Sequence, residues 1–169
     1  MVVRPALESD ASLLPDVERS AGEVFRDVPA LAWIADDEVQ SEEQHRVYAR
    51  AGNSWVAVDE GDRPLGFLSA EPCGEELHIW ELAVRRDQQG RGAGRALFEA
   101  CLRYARLRDL TAITLTTFRG LPWNEELYHR WGFETLVEEN TGGRLADILS
   151  DEREHGLPSE QRCAMRLVL

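Results

Sequence analysis

Leu82-Ala83-Val84-Arg85-Arg86-Asp87-Gln88-Gln89-Gly90-Arg91-Gly92-Ala93-Gly94 is the stretch that organises this 169-residue chain. It leaves an apolar run, Leu77 to Val84, which reads as a strand. It enters a segment whose Leu97, Phe98, Cys101, Leu102 and Ala105 form one helical face, with Arg95, Glu99 and Arg103 stacked at i, i+4 outside. Ala112-Ile113-Thr114-Leu115-Thr116 then reads as a further strand. A strand, a glycine-opened helix and a strand make a right-handed crossover, so the two strands are expected to be parallel. At the turn, glycines let the backbone come close to a ligand, and the N–H groups and dipole of the helix start can cradle a phosphate. Arg85 to Arg108 holds seven arginines against Asp87 and Glu99, a basic island in a chain of net charge -12. The dinucleotide fingerprint fails, because its third glycine falls on Arg95 or, counted from Gly92, on Leu97.

Working upstream, Trp55-Val56-Ala57-Val58 and Leu65-Gly66-Phe67-Leu68 flank the turn Glu60-Gly61-Asp62-Arg63. With Leu77 to Val84 they form an antiparallel meander. Val2-Val3-Arg4-Pro5 reads as a first strand. Leu13, Leu14, Val17, Ala21, Val24 and Phe25 lie at helical spacing, with Ser9 or Asp10 as the expected N-cap. Ser41-Glu42-Glu43-Gln44 reads as a capping box opening a second helix that Gly52 ends. Downstream, Pro122-Trp123-Asn124 starts a short helix that Gly132 closes, with Glu125 and Glu126 suited to its positive end. Phe133 to Val137 and Cys163 to Val168 read as strands. Between them Glu138 to Glu160 is a long polar connection with a helical patch, Leu145 to Glu154; lid, dimer arm and decoration all stay open. The expected fold is α/β (α+β): a mixed, mostly antiparallel central sheet with a parallel βαβ splay and helices on both faces, in a single domain spanning 1–169.

Composition narrows the function classes. Hydrophobic residues make up 43% and charged residues 30%, ordinary globular usage. The acidic balance argues against nucleic-acid binding, which needs Lys and Arg to neutralise phosphates. All 19 basic residues are arginine, which excludes the Walker A lysine and Schiff-base chemistry. No apolar run reaches the ~18 residues of a membrane span, and Met1 to Pro5 leads into acidic sequence, so the expectation is a cytoplasmic protein without a membrane partner. Cys73, Cys101 and Cys163 form no CxxC pair and no disulfide framework. His45, His129 and His155 have no ligand spacing that suggests a metal, and none is expected.

The segment Leu82 to Gly94 resembles the acetyl-CoA motif of the GNAT superfamily of N-acetyltransferases, whose core is Gln or Arg, two residues, Gly, one residue, then Gly or Ala; Gln89, Gly92 and Gly94 fill those places. Asn124-Glu125-Glu126-Leu127-Tyr128-His129-Arg130-Trp131-Gly132-Phe133 is similar to the family's Asn-x-x-x-Tyr helix and Gly-Phe strand. The resemblance covers roughly Val2 to Val137 in element order. It implies that Leu82, Ala83 and Val84 lie along the pantetheine arm, the first and last of these offering backbone groups. It implies further that Gln89, Gly90, Arg91, Gly92, Ala93, Gly94 and Arg95 hold the pyrophosphate, that Asn124 hydrogen-bonds the cofactor, and that Tyr128 is the general acid on the departing thiolate.

Elementary chemistry is compatible with these roles. Asn124 and Tyr128, four residues apart, share a helix face, and a phenol near pKa 10 can protonate a thiolate. Tyr128 could equally be a core aromatic beside Trp131 and Phe133, and Asn124 a helix N-cap. An ammonium acceptor must lose a proton before attack, and Glu81, inside the apolar Ile79-Trp80-Glu81-Leu82-Ala83-Val84, is the expected base; a substrate-orienting or solvated carboxylate is the other reading. His78 falls on the opposite strand face and reads as a satisfied histidine. Cys101 lies on an apolar helix face, which argues against an acyl-cysteine route. Trp33, Trp80 and Trp123 are pocket-wall or core residues. The expected function is acetyl-CoA-dependent transfer, without metal, to a primary amine of a small molecule or peptide by direct attack in a ternary complex. A non-catalytic acyl-CoA sensor or partner-binding module is the alternative, and a structural protein that binds no CoA is the third option. The acidic balance favours a cationic acceptor, and a homodimer is left open.

Overall fold

In the computed structural model, residues 1–137 and 141–169 are described. The strands are β1 (Val2–Pro5), β2 (Ser54–Val58), β3 (Pro64–Cys73), β4 (Glu76–Val84), β5 (Ala112–Phe118), β6 (Glu134–Thr135) and β7 (Arg162–Val168). The helices are α1 (Leu14–Gly22), α2 (Glu42–Ala51), α3 (Ala93–Leu107), α4 (Glu125–Arg130) and α5 (Gly142–Glu154), with short 3-10 turns between them. The strands form one seven-stranded sheet in the order β1-β2-β3-β4-β5-β7-β6. The pairs β1–β2, β2–β3, β5–β7 and β6–β7 run antiparallel, and β4–β5 is parallel, as the crossover predicts. The chain divides into two compact units, one of Met1–Glu71 with Ile79–Tyr104 and one of Pro72–His78 with Ala105–Leu169.

In the first unit every residue of β2 is buried, and Leu14, Val17, Val56, Val58, Phe67 and Ala83 form a core cluster that joins α1 to β2, β3 and β4. The β2–β3 turn is held by Asp59, whose carboxylate accepts the Gly61 and Arg63 N–H groups. Ser41 caps α2 by accepting the Gln44 N–H, and Gly52 ends it at φ 71°. The expected cap of α1 is corrected: Leu13 occupies that position, and a separate 3-10 turn at Glu8–Asp10 precedes the helix. Asp10 is buried instead, its carboxylate accepting from Leu7 N–H and from Arg4 at 2.8 Å. Burial works against its charge, but those donors outweigh it and hold its pKa below the usual carboxylate range.

In the second unit β7 lies between β5 and β6, paired along its whole length to β5 from Ala112↔Val168 to Phe118↔Arg162. The strand expected over Phe133 to Val137 is shortened to Glu134–Thr135, and α5 starts three residues earlier than the expected patch. Of the long polar connection, residues 138–140 lie outside the described residues. α5 is tied to the sheet through charge. Arg144 donates to Glu76 at 3.0 Å and to Thr114 Oγ1 at 3.1 Å, while Glu152 accepts from Arg162 and from Thr116 Oγ1.

Candidate active site

The first unit carries the glycine turn. Gly90 and Gly92 have φ of 74° and 89°, and a Cβ at either would meet nothing within 4 Å. Positive φ explains the glycines, since other L residues are strained there, and the open space lets a ligand reach the backbone. The Gly92 carbonyl accepts the Ala96 N–H, so the turn runs directly into α3, whose first N–H groups have no partner within the helix.

The side chains around the turn make contacts within the protein. Gln89 Nε2 donates to the Val84 carbonyl at 3.0 Å, and its Oε1 accepts from Arg86, so this side chain pins the turn to the end of β4. Arg86 also donates to Asp27, and Arg95 runs along α3 to Glu99 with its guanidinium over the Phe98 ring. Arg85 pairs with Asp87 at 3.7 Å, so much of the basic island is balanced by local carboxylates. Arg91 donates to Gln88 Oε1 at 3.5 Å rather than to a carboxylate. Together with Ala93, Gln88 and Leu65 it lines a cavity of about 280 Å³.

Upstream on β4, Glu81 is half-buried and shares a strand face with the buried Ile79 and Ala83. A second carboxylate belongs to the same neighbourhood. Glu18 follows Val17 on α1 and continues the stripe of buried Leu14 and Val17 and partly buried Ala21, which packs in the cluster that contains Ala83. Its side chain is 15% exposed and accepts the Gln40 N–H at 3.1 Å. Burial and the nearby Glu81 charge push its pKa up to about 8. His45 Nε2 is 4.0 Å from Glu18, and burial pushes that imidazole down to about 4, so it is neutral near pH 7. Neither His45 ring nitrogen has a hydrogen-bond partner among the described residues. The sequence signal for Glu18 was available, as a lone carboxylate inside an apolar helical stripe.

The second unit carries Asn124 and Tyr128. Asn124 does not cap α4 with its side chain. Its Nδ2 donates to Thr117 Oγ1 at 2.9 Å, while its buried Oδ1 has no hydrogen-bond partner among the described residues. A buried acceptor left unsatisfied is costly, and a ligand donor would satisfy it. Tyr128 packs edge-on against Trp131 and Phe133, both at 5.6 Å between centroids. The β5–α4 loop is held by Glu125, which accepts from Gly120 N–H and Thr135 Oγ1. Burial opposes its charge, but the two hydrogen bonds prevail and lower its pKa. Sequence reasoning placed Glu125 only at the helix dipole and did not single out Thr117.

The remaining candidates separate clearly. His78 is buried, paired to Thr114 Oγ1 at 3.0 Å, and pushed down to about 3 by burial and by Arg144. Burial raises the Cys101 thiol to about 12 and the Cys163 thiol to about 11, which leaves neither a ready nucleophile. Trp33, Trp80 and Trp123 are 40%, 39% and 36% exposed, so none is a core tryptophan. No metal-ligating cluster occurs among the described residues. No helix among them is long and apolar enough to cross a membrane. A cavity of about 630 Å³ in the second unit is lined by Arg119, Arg153, Arg162, Leu149 and Ser159 among others, and neither Asn124 nor Tyr128 lines it.

A mostly antiparallel sheet with one parallel pair, and a glycine turn opening a helix between those two strands, define a mixed α/β fold. The sequence profile of the acetyltransferase (GNAT) family matches residues 21–133, and the chain belongs to that family. Its fold is that of PaiA N-acetyltransferase from Thermoplasma acidophilum, solved with coenzyme A (TM-score 0.73, 13% identity, 99% of this chain and 98% of that one). It is equally that of ribosomal-protein-alanine N-acetyltransferase from Brucella melitensis (TM-score 0.69, 21% identity, all of both chains). N-acetylglutamate synthase from Neisseria gonorrhoeae, complexed with coenzyme A and N-acetyl-glutamate, aligns over 99% of this chain and 35% of its own (TM-score 0.71, 16% identity). Two of these neighbours were solved with coenzyme A bound.

Proposed function

We propose that this protein transfers an acetyl group from acetyl-CoA to a primary amine of a small molecule or peptide, by direct attack in a ternary complex. The observation that carries this reading is the Gly90–Gly92 turn, whose left-handed backbone and empty surroundings leave the start of α3 open to a pyrophosphate. The N–H groups of Gly92, Ala93, Gly94 and Arg95 bind it, Gly90 and Arg91 shape and charge the approach, and Gln89 holds the turn against β4. Leu82, Ala83 and Val84 flank the pantetheine arm, and Asn124 Oδ1 accepts a hydrogen bond from the bound cofactor. Acetyl-CoA supplies an activated thioester.

Glu81 accepts the proton that the acceptor ammonium gives up, restoring the amine lone pair. Tyr128 Oη–H donates a proton to the sulfur as it departs. Backbone N–H groups polarise the thioester carbonyl. The chain's negative balance favours acceptors that carry positive charge through long-range attraction.

The test is release of CoA thiol from acetyl-CoA across a panel of amines, amino acids, polyamines, aminoglycosides and basic peptides, corrected for acceptor-free hydrolysis. Acceptor-dependent release is expected for at least one cationic amine. Saturable acetyl-CoA binding with no release above hydrolysis for any member would overturn the enzyme reading in favour of a cofactor sensor.

A further inference from the structure

Glu18 belongs to no motif that points to acetyl transfer, yet it is placed as a working group would be. The apolar stripe of α1, Leu14, Val17 and Ala21, packs on the cluster that contains Ala83 of β4. Glu18 stands on that stripe, and Glu81 stands two residues before Ala83 on the same strand face. A carboxylate in an apolar helix–sheet interface is costly unless something uses it or neutralises it. Around Glu18 the donor is the Gln40 N–H. Its charged surroundings are Glu81, which repels it, and Arg19 of its own helix, which is itself engaged by Asp16 at 2.7 Å. Of the cations on the adjoining turns, Arg26 is taken by Glu23 and Asp36, and Arg86 by Asp27. His45 faces it from α2 without charge near pH 7.

We propose that Glu18 and Glu81 work as one proton-accepting pair, in which Glu18 is a positioning residue that acts through Glu81 on the acceptor amine. The proposal rests on the reading of Glu81 as the base. Burial of Glu18, and with it the like charge on Glu81, opposes full ionisation, so the last proton of the pair leaves only above neutrality. The fully ionised pair then has a proton affinity matched to an ammonium near working pH, which a single solvated carboxylate lacks. In the step itself, the N–H bond of the acceptor ammonium breaks, its electron pair stays on nitrogen, and the proton forms an O–H bond on Glu81. The pair then carries one negative charge, and water removes the proton to reset it.

The experiment compares the pH dependence of kcat/KM for wild type, E18Q, E18D and E81Q with one cationic acceptor, with thermal unfolding and acetyl-CoA affinity measured alongside. The wild-type profile is expected to rise through an ionisation near 8. E18Q is expected to lose that ionisation and about 10- to 100-fold of kcat/KM, with acetyl-CoA affinity unchanged, and E18D to recover part of both. An E81Q enzyme with wild-type turnover overturns the base reading and the pair together. An inactive E81Q beside an E18Q with the wild-type profile overturns the pair alone and leaves Glu81 as base. Should E18Q not fold, carboxyl-carbon NMR of the glutamate-labelled wild type decides. One member titrating near 8, and moving downward in E81Q, supports the pair, whereas a value that stays in place in E81Q is set by burial alone and overturns it. Two independent midpoints in the ordinary carboxylate range overturn it.

Discussion

Replacing Tyr128 by Phe removes one hydroxyl and keeps the edge-on contacts with Trp131 and Phe133 that hold the ring. The substitution is therefore expected to lower kcat by about 10²- to 10⁴-fold and to leave the acetyl-CoA Kd within a factor of a few. Steady-state kinetics with a calorimetric Kd checks both, and an unchanged kcat removes Tyr128 from the acid role. Asn124→Ala deletes the orphaned Oδ1 together with the donor to Thr117. One net hydrogen bond of ~0.5–1.5 kcal/mol corresponds to a loss of up to about tenfold in acetyl-CoA affinity. Calorimetry should find that loss, with kcat at saturation less affected than KM. At this scale Asn124, Tyr128 and Glu81 could be singled out in the sequence because their types and spacings are local, and the substitutions above and E81Q test their roles. Glu18 was not singled out although its place in an apolar helical stripe was readable; which strand that helix covers is decided only by the fold.

Among the elements, the sharpest constraint sits where β3 meets β4. A Cβ at Gly66 would stand 2.8 Å from the Ala83 carbonyl oxygen and 3.1 Å from Val84 Cγ2. The obstacle is partly backbone, so it cannot swing aside. Gly66→Ala is expected to destabilise the protein by roughly 1–3 kcal/mol, in line with overpacking elsewhere, read as a lower Tm, and to weaken acetyl-CoA binding through the shift of β4. An unchanged Tm would show that β4 yields freely. Periodicity located β2, β3, β4, β5, β7 and most helix spans, since each buries a face that repeats along the chain. It overextended β6 and placed the α1 cap at Ser9 or Asp10. Asp10 is drawn instead into the Arg4 pair, a contact made across the fold.

For the whole molecule, titration couples the site to stability. His45 and His78 have folded pKa values of about 4 and about 3, below the usual imidazole value. The unfolded chain therefore binds protons that the folded chain refuses, and stability is lost as pH falls from the ordinary histidine range through those values. Glu18 acts in the opposite direction. Its folded value near 8 means that the native state keeps a proton the unfolded chain has released, so stability declines as pH rises from the ordinary glutamate range to about 8. The Tm is expected to peak in the weakly acidic range and to decline towards about pH 8. In E18Q that alkaline decline should be reduced, and calorimetric scans at several pH values read it directly. A wild-type Tm that climbs steadily through that interval contradicts the raised Glu18 value.

The sequence by itself determined the local elements, the glycine turn and the family to which those motifs point. These follow from backbone sterics and from apolar residues repeating at the helical or strand period, which act over a few residues. Tertiary structure alone decided that β7 inserts between β5 and β6, that α5 is tied down through Arg144 to Glu76 and Glu152 to Arg162, and that Glu18 shares an interface with Glu81. Those outcomes join residues tens of positions apart, and burial changes their charge energetics. The proton affinity of Glu18 is set first by burial and then by the Glu81 charge, and neither exists until the chain is folded.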